Sequence, residues 1–366
     1  MKERLFVDIH VIETLPPSCV NRDDLGSPKT AVYGGVTRAR VSSQAWKRAV
    51  RMEFEQMQVE NGKRTKHLEE LLTDEILKLA PQNEKAQELA DFILSEINIK
   101  LDKDHKSKAL FFISPAQLKA LAKVALRYGI IKKPPKNSDG QKIEAYNTYL
   151  REKDAAIREN ASLDVALFGR MLADDPSLNL DAAAQVAHAI STHEVHNEFD
   201  YYTAVDDKEG TVGAGHLGTM EFNASTMYRY ATVNPLELEK SLGNETACGV
   251  RKFVEAFIRS MPTGKQNSYA NRVRPDAIYV TVRKDQPVNM AGAFEKPVKA
   301  GKEGYVEPAL RCLREYAEET YRDYYDQPAL ALSVGLEGLG EKTSLNGLLD
   351  TLENYLEKQL AEGETK

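Results

Sequence analysis

Apolar and polar residues alternate from residue 5 to residue 13, through Phe6, Val7, Asp8, Ile9, His10 and Val11, and predict a half-buried strand. The period then lengthens. Trp46, Val50, Phe54 and Met57 recur at spacings of four, four and three, which is the apolar stripe of an amphipathic helix. Ser42 or Ser43 is its expected cap, because a serine hydroxyl can accept a free amide of the first turn. Residues 55 to 192 continue almost wholly in helical register, with stripes at Leu68, Leu71 and Leu72, at Leu89, Phe92 and Ile93, and at Leu118, Leu121, Ala122 and Ala125. Only the lysine- and proline-rich stretch between Gly129 and Ile143 interrupts them, as a surface loop.

From Glu198 an aromatic and acidic run leads into glycines at 210, 213, 215 and 218, a spacing that favours a protruding ribbon over a packed element. Alternation returns at residues 221 to 233, with Phe222, Ala224, Thr226, Tyr228 and Tyr230 on one side, and further strands are predicted near 277–283 and 329–335. A β-α-β opening, a large helical insertion and a later β-α-β set predict an α+β fold with a ferredoxin-like core. No internal repeat or low-complexity tract interrupts this reading.

Charge changes the picture. The chain of 366 residues has a net charge of -6, yet Gly34 to Arg51 holds five cations and no acid. On the predicted helix, Gln44, Lys47, Arg48 and Arg51 share the side opposite the Trp46 stripe. A helix anchored by its apolar stripe holds such groups at fixed spacing, and its N-terminal amides add a site for anions. These are the parts of a surface that tracks a nucleic-acid backbone. The preceding polar loop, from Pro16 through Asn21, Arg22, Asp23 and Asp24 to Lys29, is expected within reach of it.

Composition sets further limits. A chain of this length, 42% hydrophobic, can bury a full core and divides into more than one unit. No stretch is long enough to span a bilayer, and Met1 to Arg4 runs into a strand rather than a signal peptide, so no membrane partner is expected. The three cysteines, at 19, 248 and 312, lack a CxxC spacing and point to a reducing cytoplasm.

The strand at Phe6–Val11, the loop from Pro17 to Asp24, Gly34-Gly35, and Arg40-Val41-Ser42-Ser43-Gln44 with Lys47-Arg48 together resemble the CasC-type backbone subunit of the type I-E CRISPR Cascade complex. Later landmarks keep the order: Ala166–Met171, Ala187–His193, Phe199–Asp207, Ala214–Thr219 and Ala293–Lys299. The resemblance spans about residues 5 to 300, within the repeat-associated RNA-binding superfamily. It implies a right-hand-shaped protein with an RRM-like palm (1–54 and 224–366), helical fingers (55–192) and a β-hairpin thumb (193–223). Such subunits polymerise along a CRISPR guide RNA and present its bases to target DNA, beside other Cascade subunits; they need no cofactor and cut nothing.

By positional match the resemblance assigns guide contacts to Asn21, Arg22, Lys29, Arg38, Arg40, Ser42, Ser43, Gln44, Lys47, Arg48 and Arg51. Val36 and Thr37 stand where the family pattern carries more cations. Met171 matches the position that inserts between nucleotides, His216 and Leu217 fall in the thumb, and Lys296 and Lys299 are further candidates, with Lys265, Gln266 and Arg272. A subunit repeated along a guide of any sequence must hold phosphates and 2′-hydroxyls while leaving base edges free, which this residue set can do.

Two chemical rivals exist. Asp23 and Asp24 resemble the loop aspartate of type III backbone subunits, where metal-dependent cleavage of target RNA takes place. His188, His193 and His196, spaced by five and three, could share a metal, although no HExxH accompanies them. There is no GxxxxGK[ST] loop for nucleotide hydrolysis and no RNP-type aromatic motif.

Overall fold

A computed structural model describes residues 4–135, 139–171, 176–205, 208 and 212–364. In chain order the first elements are β1 (Phe6–Ser18), β2 (Thr30–Tyr33), β3 (Val36–Val41), α1 (Ser43–Gln56), β4 (Lys63–Thr65), α2 (Leu68–Leu79) and α3 (Ala86–Glu96). There follow β5 (Phe111–Ile113), α4 (Pro115–Tyr128), α5 (Gly140–Arg158), α6 (Leu163–Phe168), β6 (Ala184–Val186), β7 (Ala189–Ser191), β8 (Glu198–Val205) and β9 (Val212–Val233). The chain ends with α7 (Pro235–Leu242), α8 (Thr246–Arg259), α9 (Gln266–Tyr269), β10 (Ala277–Arg283), α10 (Val306–Asp323), β11 (Leu330–Val334), β12 (Glu341–Lys342) and α11 (Leu345–Glu364).

These elements form two compact units. The first comprises residues 1–53, 184–236 and 247–366, and the second residues 54–183 with 237–246. The first is built on one large sheet, ordered β12-β11-β10-β1-β9-β7-β3-β2, with β6 and β8 also paired to β9. β1 lies between β9 and β10, antiparallel to both, so those two run parallel and α8 lies in the connection between them. β6 and β7 add antiparallel to the other edge of β9. The result is a mixed α+β unit with a mostly antiparallel sheet.

The alternation expected of β1 fails, because positions 7 to 13 are buried on both faces. On one face Ile12, Tyr228, Tyr230 and Tyr279 join Phe294 and the α10 residues Ala309 and Leu313 in a single core cluster. On the other, Leu15 and Met227 pack with Trp46, whose ring lies 6.4 Å from that of Phe257 in α8. Between those rings the guanidinium of Arg229 sits 3.7 Å from the Trp46 centroid and pairs with buried Glu13. A buried ion pair enclosed by aromatic faces keeps the desolvated cation compensated. Polar positions in β1 therefore report partners rather than solvent.

The helical register expected to run to residue 192 also fails at its end. Residues 184–186 and 189–191 are strands of the large sheet. They are too short to establish a period of two in the sequence.

The second unit is a helical core. Leu72, Ile76, Leu89, Ile93, Leu118, Leu121, Ala122 and Ala125 lie in one buried cluster with Tyr149 and Ile157 of α5, as the sequence stripes require. Ser114 starts α4 with a reciprocal capping box, its hydroxyl accepting Gln117 N–H and the Gln117 side chain accepting Ser114 N–H.

Candidate nucleic-acid interface

The start of α1 is fixed from two directions. Ser42 caps the helix, its hydroxyl accepting Ala45 N–H at 3.3 Å, while Asn21 Oδ1 accepts the Ser42 N–H at 2.9 Å. The loop is laced further by Lys29 N–H donating to Asn21 O at 2.8 Å and Arg40 N–H donating to Lys29 O at 2.9 Å. Asn21, Lys29, Arg40 and the first turn of α1 are thereby brought together, from stretches well separated in sequence. Trp46 and Val50 bury the opposite face of the helix, as predicted.

The outward side carries the polar set. Gln44 and Arg48 are exposed, and Ser43, Lys47 and Arg51 are half-buried. Burial holds the Lys47 ammonium below its ordinary pKa. Arg22 is exposed, and Asn21 and Lys29 are half-buried. Arg22 and Lys265 also line a cleft of 210 Å³ with Leu25, Ser27, Met220 and Tyr269.

Arg40 is directed by two bonds, Nε donating to Thr30 O at 3.0 Å and Nη1 meeting His188 Nδ1 at 3.1 Å. The His188 pKa is lowered, first by burial and then by the positive charges of Arg40 and Lys29. A neutral His188 can accept the Arg40 Nη1–H hydrogen bond at Nδ1. The sequence offered His188 only as a metal ligand; its place beside two cations needs the pairing of β3 with β7.

Two predicted contacts, Arg38 and Ser42, are corrected. Arg38 is fully buried and spends its guanidinium on the carbonyls of Tyr33, Ser191, Phe294 and Glu295 at 2.9 to 3.1 Å. Its side chain is a strut rather than a guide contact. The strut holds the segment carrying Lys296 and Lys299, both exposed, against the β2–β3 turn. Gly34, at φ +60, allows this approach, since a Cβ there would lie 1.7 Å from Glu295 O. Ser42 is 5% exposed and its hydroxyl serves the cap, so the outward serine is Ser43. Arg272 is bound to Glu53 at 2.9 Å, and Lys265 Nζ lies 3.3 Å from Met220 Sδ.

The two chemical rivals meet specific obstacles. Asp23 Oδ1 accepts both Leu25 N–H and Ser27 N–H at 3.0 Å, closing the loop tip as an Asx turn. Asp24 is exposed beside it. His193 is buried, stacked 3.7 Å from Tyr305, with Nε2 accepting Thr226 N–H and Nδ1 donating to Glu194 O. Both ring nitrogens are committed, so the three histidines do not form a metal site.

In the helical unit Met171 is 84% exposed. The preceding Arg170 is buried and donates to the carbonyls of Leu178, Phe112 and Ile157, so the backbone is pinned one residue before the exposed thioether. The hairpin of β8 with β9 pairs Glu198 with Phe222 through Thr203 with Leu217, and carries exposed Phe199 and Tyr201 on one face. His216 and Leu217 lie in β9, but their side chains are outside the described residues.

The model of the family described as "CT1975-like protein" matches residues 7–357. No curated protein matches the chain. Among solved structures, a chain of a "CRISPR RNA-guided surveillance complex, pre-nicking" is 35% identical with a TM-score of 0.75, covering 96% of this chain and 99% of that one. A chain of a "CRISPR RNA-guided surveillance complex" is 32% identical with a TM-score of 0.61 and the same coverage. With almost its whole length matched, the chain belongs to the CT1975-like protein family.

Proposed function

We propose that this protein is a non-catalytic backbone subunit of a type I-E CRISPR surveillance complex, of the CasC type, that holds guide RNA by its sugar-phosphate backbone. The likeness to two surveillance-complex chains supports the assembly. The observation that carries the RNA contact is the lacing of Asn21 to Ser42, which joins the polar loop to a helix start whose outward side bears Gln44, Lys47, Arg48 and Arg51. Amides, hydroxyls and cations suit phosphates and 2′-hydroxyls without reading bases.

In this reading the first unit supplies a ferredoxin-like palm. Its β10-β1-β9-β6/β7 order, with α1 following β1 and α8 joining β9 to β10, supports that description. The helical unit is the fingers and the β8–β9 hairpin the thumb. Further copies of the chain continue along the guide, other Cascade subunits complete the complex, and target DNA pairs with the presented bases in the cytoplasm. Asp23 takes a structural part, and cutting is left to other proteins.

The test is the salt dependence of binding to single-stranded RNAs of unrelated sequence, for the chain and for Lys47→Ala, Arg48→Ala and Arg51→Ala. Each loss should weaken all sequences alike and reduce the slope of log affinity against log salt by about 0.7. A sequence-selective loss, or an unchanged slope in all three, would refute the contact.

A further inference from the structure

We propose that the helical unit binds a divalent transition ion, of the zinc class, through Glu69, Asp91 and His105. These residues come from α2, from α3 and from the turn before β5, and one ligand atom of each lies within 4.8 Å of the other two. His105 Nδ1 and Asp91 Oδ1 are 3.6 Å apart, beyond a hydrogen bond and close to the ligand-to-ligand separation around a small ion with bonds of about 2.0–2.2 Å.

A second observation points to a ligand. Asp91 Oδ1 is enclosed and has no hydrogen-bond partner. Glu69 is 6% exposed and, among the described residues, has no Lys or Arg partner; its carboxylate accepts the Thr73 hydroxyl at 3.1 Å. Two carboxylates drawn together, one almost wholly out of water, is an unfavourable arrangement without a positive charge between them. His105 supplies a nitrogen ligand, which selects zinc-like ions over magnesium.

The turn bearing His105 is held in place. Asp102 Oδ1 accepts the N–H groups of Asp104 and Lys106, His105 N–H donates to Asp102 O, and His105 itself takes φ 57. Ser107 N–H donates to Lys66 O at 2.9 Å, tying the turn to the segment that opens α2. An ion here would staple α2, α3 and the turn into one body. His105 and Asp91 remain half open to solvent, so water would complete the coordination and the ion would exchange.

The experiment strips the full chain with chelator, adds zinc or magnesium, and measures metal retained after gel filtration together with the melting temperature. One zinc per chain and a rise in melting temperature of about 3 °C are expected, with no response to magnesium. Both responses should vanish in His105→Ala and in Asp91→Asn, whose side chains are open enough to be changed without loss of fold, and persist in His196→Ala. No retained zinc, an equal response to magnesium, or retention unaffected by both variants would overturn the site and leave His105 and Asp91 as a surface ion pair.

Discussion

The side-chain carbonyl of Asn21 accepts the backbone N–H of Ser42, 21 residues further along, at 2.9 Å. That bond links a loop with no regular structure to the capped end of α1. Replacing Asn21 by Ala should cost about 1 kcal/mol, the net value of one such bond. RNA affinity should fall further than stability, because the loop loses its hold on the helix start. Asn21→Asp keeps the acceptor and adds a negative charge, so it should restore the denaturation midpoint while lowering affinity below that of Asn21→Ala. Equal affinities for the two variants would refute an electrostatic role for this corner.

Arg38 should separate from the outward cations. Arg38→Ala leaves four carbonyls without their donor and should destabilise the first unit by on the order of 3 kcal/mol. The protein that remains folded should bind RNA with the same salt slope as the parent chain. Chemical denaturation and filter binding measure the two effects independently, and a reduced slope would restore Arg38 to the interface.

The contrast between Arg38 and Arg48 shows what the sequence can carry. Both stand in one cationic run, and residue type alone treats them alike. The helix spacing correctly turned Arg48 outward and Trp46 inward, since a period of 3.6 assigns faces. Arg38 lies in a strand whose inner side meets the carbonyls of Ser191, Phe294 and Glu295, and those contacts span 153 to 257 residues of chain. Helices α2 to α4 were legible for the same local reason. β6 and β7 were not, and neither was the double-sided burial of β1, because each depends on which element covers a face.

His188 offers a spectroscopic probe of the interface. Its pKa is held down by burial and by Arg40 and Lys29, so its ring is neutral at pH 7. A phosphate seated on Arg40 and Lys29 would cancel that repulsion. The His188 pKa, followed by NMR of the imidazole, should rise on adding RNA, with proton uptake and tighter binding as the pH is lowered. Arg40→Gln should raise it in the free protein by removing one of the cations. A pKa unmoved by RNA would place the backbone elsewhere.

Asp8 and His10, two positions apart on the inner face of β1, should titrate against each other. Burial pushes the Asp8 carboxyl up to about 6 from 3.8, against the lowering effect of bonds from Val288 N–H, Thr232 and Tyr230. Burial, and then the charge of Arg283, pulls His10 down to about 3 from 6.5. The signs differ in consequence. The stability from Asp8 is complete below its unfolded value near 3.8 and is lost as pH rises through about 6. That from His10 is complete above 6.5 and is lost as pH falls toward 3. Between about pH 4 and 6 the two oppose one another, each on the order of 2–3 kcal/mol. Tyr228, Tyr230, Tyr279 and Arg283 surround His10, and Tyr228 OH lies 2.8 Å from its Nδ1, so His10→Gln keeps a polar group there. Relative to the parent chain, His10→Gln should gain stability as pH falls from 6.5 to 4.5, because Asp8 then titrates alone. Asp8→Asn should lose stability over the same interval, because His10 does. Denaturant midpoints at the two pH values decide it: parallel shifts in both variants would mean that neither proton is linked to folding.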